Sequence, residues 1–397
     1  MSSFYLNNKN LLIFGFLTCM GSAFGQTYFI SLFGAELRET LSLTNGEFGS
    51  YYSLATIFSA ITLIWVGKLI DSVALRKYTL FVIISFSAVC ITFGFVSNIV
   101  MFFICIYFLR LFGQGLMTHI SRTSMARYFD KNRGKALAVS GYGSSFAEMI
   151  FPFIAVSLIG LIGWRYTWIS GGLALILFFG LLAFYLLRNH QEYHDSFLKN
   201  NISESNITWK RRDVLKDKKF YLYLPITLMM SFTVTGFLFH QVEIAGYKSW
   251  TLEMISYAFV FYAISAIIGT TIAGLAVDKY NARQLVPFFS IPMILTLITL
   301  SQFNGILILF VYMSILGLTQ GMAENISSAL WAELYGVNNL GAIKALMHFF
   351  IILASAASPF LFGFILDQGD TVSSLILITN TLFILFSIMS YFGKYFK

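Results

Sequence analysis

Long apolar stretches alternate with short polar loops along the chain. Twelve of these stretches are long enough to cross a bilayer as helices, which takes about 20 mostly apolar residues. They are too long and too continuous for barrel strands, which alternate over about 10 residues. We number the predicted spans 1 to 12 in chain order: 11–33, 48–70, 78–97, 99–121, 136–160, 165–187, 220–244, 254–277, 285–302, 305–332, 342–366 and 372–393.

One polar segment divides the spans six and six. Residues 188–219 are rich in Lys, Asn, Ser and Asp and show no apolar periodicity. The pattern predicts an N-terminal six-helix bundle at 1–187, a cytoplasmic linker at 188–219 and a C-terminal six-helix bundle at 220–397.

Composition indicates that the bilayer is part of the solvent. The chain is 57% hydrophobic and only 11% charged, more apolar surface than a water-soluble fold can hide. Cys19, Cys90 and Cys105 lie in apolar runs without a CxxC pair, so neither a disulfide framework nor a zinc site is indicated. We therefore expect an integral membrane protein without a bound metal.

The distribution of Lys and Arg predicts the orientation. All of them except Arg38, Arg110, Arg165 and Lys248 fall on one side when the N-terminus is placed inside. By the positive-inside rule, both termini are then cytoplasmic. The same rule explains the net charge of +8, so we expect a lipid bilayer around the protein and no nucleic-acid partner.

A charged pattern occurs twice in this apolar chain. Residues 67–76 read GKLIDSVALR and residues 274–283 read GLAVDKYNAR, 207 positions apart. The stretch QGLMTHIS at 114–121 likewise matches QGMAENIS at 320–327. Two halves that repeat in the same orientation predict an all-α membrane protein with twelve transmembrane helices in two parallel-repeat six-helix bundles.

These two loops resemble the signature loop of the major facilitator superfamily, G-x-x-x-D-(R/K)-x-G-(R/K)-(R/K). The resemblance covers the whole chain and implies a transporter fold. It also implies a conformational role for the loop residues. The glycines would permit close helix approach, the aspartates would accept hydrogen bonds at a helix N-terminus, and the arginines would bridge neighbouring loops. These residues are Gly67, Asp71, Arg76, Gly274, Asp278 and Arg283.

The loops also depart from the signature. Ser72 and Ala74 replace the usual basic residue and glycine in the first copy. In the second copy Lys279 is retained, and Asn281 takes the glycine position, where Asn tolerates a left-handed conformation.

A narrower similarity is to bacterial permeases near the monocarboxylate and oxalate/formate branch. ARYFDKNRGKALAV, GWRYTW and ELYGVNNLGAIKAL carry it. That branch usually places a basic residue in helix 8 or helix 1 to hold a carboxylate. Neither predicted span 8 nor predicted span 1 contains Lys, Arg or His, so a carboxylate substrate is not favoured by this feature.

Ionisable residues inside spans are the candidate functional residues, because burying charge in hydrocarbon is costly. Spans 3, 6, 9 and 12 have none in their interiors, and in the superfamily these four are the outer helices. We predict substrate binding by Arg110, Gln26, Tyr28, Tyr257 and Tyr262. We predict proton coupling or gating by Glu148, His119, Glu324, His348, His240 and Glu243.

Arg110 and Glu148 are the main pair. Arg110 lies roughly 15 Å into span 4, near the midplane, and heads a stretch RLFGQG similar to that of many proton-linked members. In one interpretation Arg110 contacts the substrate or a proton-carrying carboxylate while Glu148 titrates, since burial raises the pKa of a carboxyl group. In the other, the two residues form a permanent pair that fixes helix packing.

The other candidates also carry an alternative. His240 and Glu243 lie three residues apart on one helix face near the outer end of span 7, where they serve gating or form a solvated helix end. Gln26 and Tyr28 line a cavity or make ordinary interhelical contacts.

The function that follows is a secondary active transporter for a small organic solute, a monomer working by alternating access in the bacterial inner membrane. The sequence contains no nucleotide-binding loop and no catalytic constellation, so we expect neither enzyme activity nor a cofactor. We expect an ion gradient to drive transport, and a proton gradient fits the buried Glu and His residues best. The alternatives are a drug or metabolite efflux antiporter and a non-transporting membrane sensor.

Overall fold

The computed structural model describes residues 2–129, 132–188, 211–335, 340–369 and 372–393. Most of the predicted linker lies outside these ranges. For Asp71 and Asp278, which fall inside the ranges, the structure describes the backbone only. The roles predicted for those two carboxylates stay predictions.

The described residues fold into helices, and no strand occurs among them. In these ranges nine helices are long and apolar enough to cross a bilayer, and a tenth span forms when the two arms of the bent span 1 are counted together. The helix Gly134–Leu186 carries both predicted spans 5 and 6, which meet at Gly163 with a φ of 78°. The shorter apolar helix Ile291–Gln302 is span 9. All twelve predicted spans therefore correspond to helices.

The spans have the following bounds. In the first half they are Lys9–Gly21 with Thr27–Ile30 and Gly34–Leu41 for span 1, Asn45–Val66 for span 2, Leu75–Phe93 for span 3, Ile99–Leu109 with Thr118–Tyr128 for span 4, and Arg133–Ala174 with Leu181–Leu186 for spans 5 and 6. In the second half they are Lys218–Phe239 with Gln241–Lys248 for span 7, Leu252–Tyr280 for span 8, Ile291–Gln302 for span 9, Ile306–Tyr335 for span 10, Leu340–Asp367 for span 11 and Val372–Gly393 for span 12.

Local sequence explains where several helices begin. Thr44 and Glu47 form a capping box, in which Glu47 N–H donates to Thr44 Oγ1 at 3.2 Å and Thr44 N–H donates to Glu47 Oε2 at 2.9 Å. Asn98 caps span 4 by accepting from Met101 N–H at 2.9 Å. Span 9 begins at Ile291 rather than at the predicted position 285, because Pro292 lies in its first turn, where proline is favoured.

Contacts divide the chain into two compact units. Unit 1 comprises Met1–Leu43 and Leu54–Ser203, and unit 2 comprises Thr44–Ser53 and Glu204–Lys397. The first turns of span 2 therefore group with unit 2, and its remainder groups with unit 1.

The two halves repeat the same local structure at the interval seen in the sequence. The helices Gly34–Leu41 and Gln241–Lys248 are each eight residues long and lie 207 positions apart. Each ends at a serine in the left-handed region, with a φ of 52° at Ser42 and of 58° at Ser249. The repeat inferred from sequence is thus also present in the backbone.

In each half a cation holds the turn that follows the third span of that half. In unit 1 Arg165 Nη1 donates to the carbonyls of Gly94 at 3.1 Å and Val96 at 2.9 Å. In unit 2 Lys248 Nζ donates to the carbonyl of Phe303 at 3.2 Å. Lys248 is buried. The repeat keeps the tied turn, but the cation comes from the start of span 6 in the first half and from the end of span 7 in the second.

Candidate substrate and coupling site

Span 1 is broken near its middle. Its α-helix gives way to a 3₁₀ turn at Ser22–Gly25, and Gln26 is extended, with φ −85° and ψ 150°. The two arms, Lys9–Gly25 and Thr27–Leu41, are bent by 45°. Broken helices free backbone polar groups, which in a membrane must find partners within the protein.

The break lies where span 1 presses against span 4. A Cβ atom added to Gly25 would lie 2.3 Å from the carbonyl oxygen of Leu109 and 2.7 Å from the Cα of Gly113. Only glycine fits such a backbone-to-backbone approach. This tertiary contact accounts for a break that the continuous apolar pattern of 11–33 does not reveal.

Arg110 fills the hydrogen-bonding needs of the break. Its Nη1 donates to the carbonyl of Gly25 at 2.9 Å and to Thr27 Oγ1 at 3.3 Å, and its Nε donates to Thr56 Oγ1 at 3.2 Å. The side chain is only 1% exposed. One buried cation thus connects spans 1, 2 and 4 inside unit 1.

The backbone at Arg110 is also irregular. Residues Arg110–Met117 run as a π-helix between the α-helical parts of span 4. Such π segments are rare and occur frequently at functional sites. Span 1 and span 4 therefore both depart from α-helical geometry at the place where they meet.

Two other predicted binding residues of unit 1 lie at the break or just beyond it in sequence. Gln26 is the break itself, and its Nε2 donates to Ser22 Oγ at 3.3 Å. Tyr28 is buried two residues further on. Glu148 is half-buried in span 5, and its pairing with Arg110 stays a prediction.

His119 contacts the end of span 2 that leads into the loop 67–76. Its Nε2 lies 3.2 Å from the carbonyl oxygen of Gly67, the first residue of the signature loop. A Cβ at Gly67 would lie 3.6 Å from that nitrogen, and one at Gly274 would lie 3.4 Å from Asn325 Nδ2. Both are ordinary contacts, so the close approach predicted for these two glycines does not occur.

The two signature loops are held by different partners. In unit 1 the Arg76 guanidinium lies 3.7 Å from the ring centre of Phe184 in span 6, and its predicted contact with a neighbouring loop stays a prediction. In unit 2 Arg283 Nη2 donates to the carbonyl of Glu333 at 3.1 Å, while the Glu333 carboxylate accepts from the N–H of Ala282 at 2.6 Å. Asn281 has a φ of 62°, which confirms its predicted place in a glycine position.

His240 and Glu243 lie together in the C-terminal part of span 7. His240 Nδ1 is 3.7 Å from Glu243 Oε2, which confirms the shared face. His240 Nε2 is 2.9 Å from the carbonyl oxygen of Pro359 in span 11. The imidazole is 1% exposed, so the alternative of a solvated helix end is wrong for His240.

The remaining candidates of unit 2 differ in their exposure. Tyr262 is 3% exposed and Tyr257 is 51% exposed, since five residues along a helix turn the side chain to another face. Glu324 and His348 are exposed. Their predicted roles in binding and coupling stay predictions.

Comparison with known families decides the class of the protein. Two overlapping stretches of the chain, residues 15–248 and 222–396, match the Major Facilitator Superfamily, and together they span nearly all of it. The chain belongs to the major facilitator superfamily.

Solved structures of superfamily transporters agree with this fold. The structure of a bacterial homologue of the human lysosomal transporter Spinster, in an inward-facing and occupied conformation, is similar with a TM-score of 0.73 at 12% identity, covering 98% of this chain and 96% of that one. The unoccupied inward-facing form of such a homologue is similar with a TM-score of 0.69 at 10% identity, covering 97% and 95%. At this identity the likeness concerns the fold.

Membership in the superfamily makes the chain an integral membrane transporter. Sequence reasoning found Arg110 but missed its partners Thr27 and Thr56, because a threonine inside an apolar run carries no charge signal. It also missed Glu333, which resembles an ordinary interfacial residue near the end of span 10.

Proposed function

We propose that the chain is a secondary active transporter that moves a small organic solute by alternating access and is driven by protons. The observation that carries the proposal is Arg110, a buried cation at a broken helix whose donors connect three spans. Burying a charge in a membrane protein is costly, and such residues mark substrate and proton pathways.

The present partners of Arg110 favour an exchange mechanism. Threonine hydroxyls are neutral acceptors, and their distances from Arg110 are 3.2 and 3.3 Å. A carboxylate or another anionic group makes shorter and stronger hydrogen bonds to a guanidinium. A solute carrying such a group would displace Thr56 and Thr27 and thereby release spans 1 and 2 from Arg110.

Exchange of partners supplies a reason for conformational change. A ligand shifts an equilibrium only when it binds the two states differently. A solute that competes with the helix oxygens for Arg110 meets this requirement. Glu148, when ionised, competes for the same cation, and its protonation would leave Arg110 to the solute, which couples the two ligands.

The substrate class best supported is a small organic molecule with one anionic or strongly accepting group and an apolar or aromatic body. Arg110 supplies the recognition of the first, and buried Tyr28 supplies an apolar surface with a hydroxyl for the second. The sequence resemblance to the monocarboxylate and oxalate/formate branch is compatible with this class, although spans 1 and 8 lack that branch's usual basic residue. Efflux by solute–proton exchange is the second candidate, since the same residues serve either direction.

We place the transporter in the bacterial inner membrane as a monomer, with both termini cytoplasmic. The Lys and Arg distribution supports this orientation. Reporter fusions at each terminus, one active only in the cytoplasm and one only outside it, test the topology.

The coupling is tested with proteoliposomes under an imposed pH gradient. A panel of carboxylates, amino acids and vitamins is screened with the wild-type protein and with Glu148→Gln. We expect a solute that the wild-type protein accumulates, and which Glu148→Gln exchanges but no longer concentrates. A Glu148→Gln protein that concentrates the solute like the wild type would remove Glu148 from the coupling.

A further inference from the structure

The outer end of span 2, opposite the loop 67–76, is capped by a residue from another span. Asp367, the last residue of span 11, accepts from the N–H of Asn45 through Oδ1 at 3.1 Å and from the N–H of Gly46 through Oδ2 at 2.7 Å. The first N–H groups of a helix have no intrahelical partner, and the helix dipole favours an anion there. Asp367 therefore completes the N-terminus of span 2.

The next N–H groups of span 2 are satisfied by the local sequence and not by Asp367. The third N–H of span 2, that of Glu47, is already satisfied by Thr44 Oγ1 at 3.2 Å. The next, that of Phe48, donates to the Thr44 carbonyl at 3.0 Å. Asp367 supplies what the capping box leaves over, which are the donors of Asn45 and Gly46.

Glycines bring the two helices into backbone contact around this cap. A Cβ at Gly46 would lie 2.7 Å from Asp367 Oδ2, one at Gly363 would lie 2.4 Å from the Asn45 carbonyl, and one at Gly49 would lie 2.3 Å from the Pro359 carbonyl. All three distances are shorter than real Cβ contacts allow. The glycines thus permit an approach along two turns of span 2.

Aromatic side chains close the region beneath the cap. Phe48 stacks on Phe239 with ring centres 5.0 Å apart, and Tyr52 lies 4.5 Å from the same ring. Phe48 and Tyr52 are buried. His240, next to Phe239, binds the Pro359 carbonyl at 2.9 Å. The cap, the glycines and the aromatic cluster all act on the first turns of span 2.

We propose that Asp367 is a latch that holds the outer end of span 2 against span 11 and that releases when this end opens. This rests on the alternating access put forward above. Asp367 is exposed to solvent, so the capping bonds are of a strength that thermal motion breaks. Residues 44–53 group with unit 2, as Asp367 does, so the cap and the helix end that it holds lie within one unit.

The second half of the chain lacks the device. The repeat places Gly160 at the position of Asp367, and glycine has no carboxylate. The start of span 8 is capped by its own Thr251, which accepts from Met254 N–H at 3.3 Å. The latch is therefore a feature of one copy, not of the duplicated scaffold.

A cysteine reporter tests the latch without any knowledge of the substrate. Tyr52→Cys places a thiol beneath the cap, and a membrane-impermeant maleimide is added to intact cells. Cys19, Cys90 and Cys105 are buried, so the chain without the reporter gives the background. Glu39→Cys, at an exposed position before span 2, is the matched control.

We expect Asp367→Ala to raise the labelling rate of Tyr52→Cys by roughly two- to thirtyfold, the range that loss of a helix N-cap carries. Asp367→Asn, which keeps the shape but not the charge, should give a smaller rise and guards against a folding defect in the alanine variant. Labelling of Glu39→Cys should not change. Equal labelling of Tyr52→Cys with and without Asp367 would overturn the latch, whatever the transported solute proves to be.

Discussion

Span 1 and span 7 occupy the same place in the two halves, yet only span 1 is broken at its centre. Both turn at the same later position, Phe33 with φ −99° and His240 with φ −96°. Before that turn Lys218–Phe239 is continuous, whereas span 1 is interrupted at Gln26. The duplication therefore provides a common scaffold, and one half departs from it.

The difference follows the position of a charge. The repeat places Leu316 at the position of Arg110 and Thr233 at the position of Gln26. The intact span 7 thus faces no arginine at this point, and the broken span 1 does. The half that has the buried arginine also has the helix break whose carbonyl the arginine binds, and the other half has neither at the matching positions. We infer that the break and Arg110 depend on each other.

The largest effect is expected from giving unit 1 the residue of unit 2. Arg110→Leu removes three hydrogen bonds and leaves the buried Gly25 carbonyl without this donor. At about 1 kcal/mol for each bond, we expect a loss of about 3 kcal/mol of stability together with loss of transport. Thermal unfolding in detergent measures the first effect and proteoliposome uptake measures the second.

Arg127→Leu is the matched control, because Arg127 also donates to a backbone carbonyl, that of Ile70 at 3.2 Å, but is only half-buried, near the C-terminal end of span 4. An Arg110→Leu protein no less stable than Arg127→Leu would remove Arg110 as the support of the break.

A second change addresses the contact that produces the break. Gly25→Ala places a Cβ against the backbone of span 4, and such overpacking costs about 1–3 kcal/mol. Gly160→Ala has nothing within 4 Å of its added Cβ and should leave the melting temperature unchanged or raise it. Melting curves of the two variants measure this difference. Equal shifts of the melting temperature would contradict the view that the contact between Gly25 and span 4 produces the break.

Thr56→Val tests a single hydrogen bond of Arg110. The hydroxyl accepts from Arg110 Nε at 3.2 Å, and its loss should cost about 1 kcal/mol. In unit 2, Thr233→Val removes a buried hydroxyl that has no hydrogen-bond partner among the described residues, and it should be neutral or stabilising. Chemical unfolding of both variants decides, and a Thr233→Val protein that is the less stable of the two would argue against the account.

The smallest effect is expected at the two signature loops, 67–76 and 274–283. Glu333→Gln weakens the cap on the Ala282 and Arg283 N–H groups and should speed amide exchange there by a few fold, since a charged acceptor is replaced by a neutral one. Arg76→Gln in the other loop removes a stacking contact and no backbone cap, so amide exchange at that loop should change less. Hydrogen-exchange mass spectrometry distinguishes the two.

Much of the architecture could be predicted from sequence because bilayer thickness fixes helix length. The repeat and the shared face of His240 and Glu243 followed from spacing alone. The break at Gln26 could not be predicted, since it arises from contact between Gly25 and Gly113, which lie far apart in sequence.

The capping residues were missed for a related reason. Asp367 and Glu333 lie near the ends of spans, where charged residues are common and usually solvated. Their role depends on helix N-termini that the fold brings to them. The signature motif had the opposite effect at Gly67. It predicted a close helix approach there, but an added Cβ would meet only ordinary contacts.

Arg110 is proposed to contact the solute and not only to support a helix. The most direct test is the uptake rate of an accumulated solute by Arg110→Lys, compared with Arg165→Lys, whose side chain also binds backbone carbonyls but at an outer turn. Lysine keeps the charge and loses the guanidinium geometry. We expect Arg110→Lys to lower uptake at low solute concentration by about tenfold or more, while Arg165→Lys changes it little. Uptake by Arg110→Lys equal to that of the wild type would contradict the claim and leave Arg110 a packing residue.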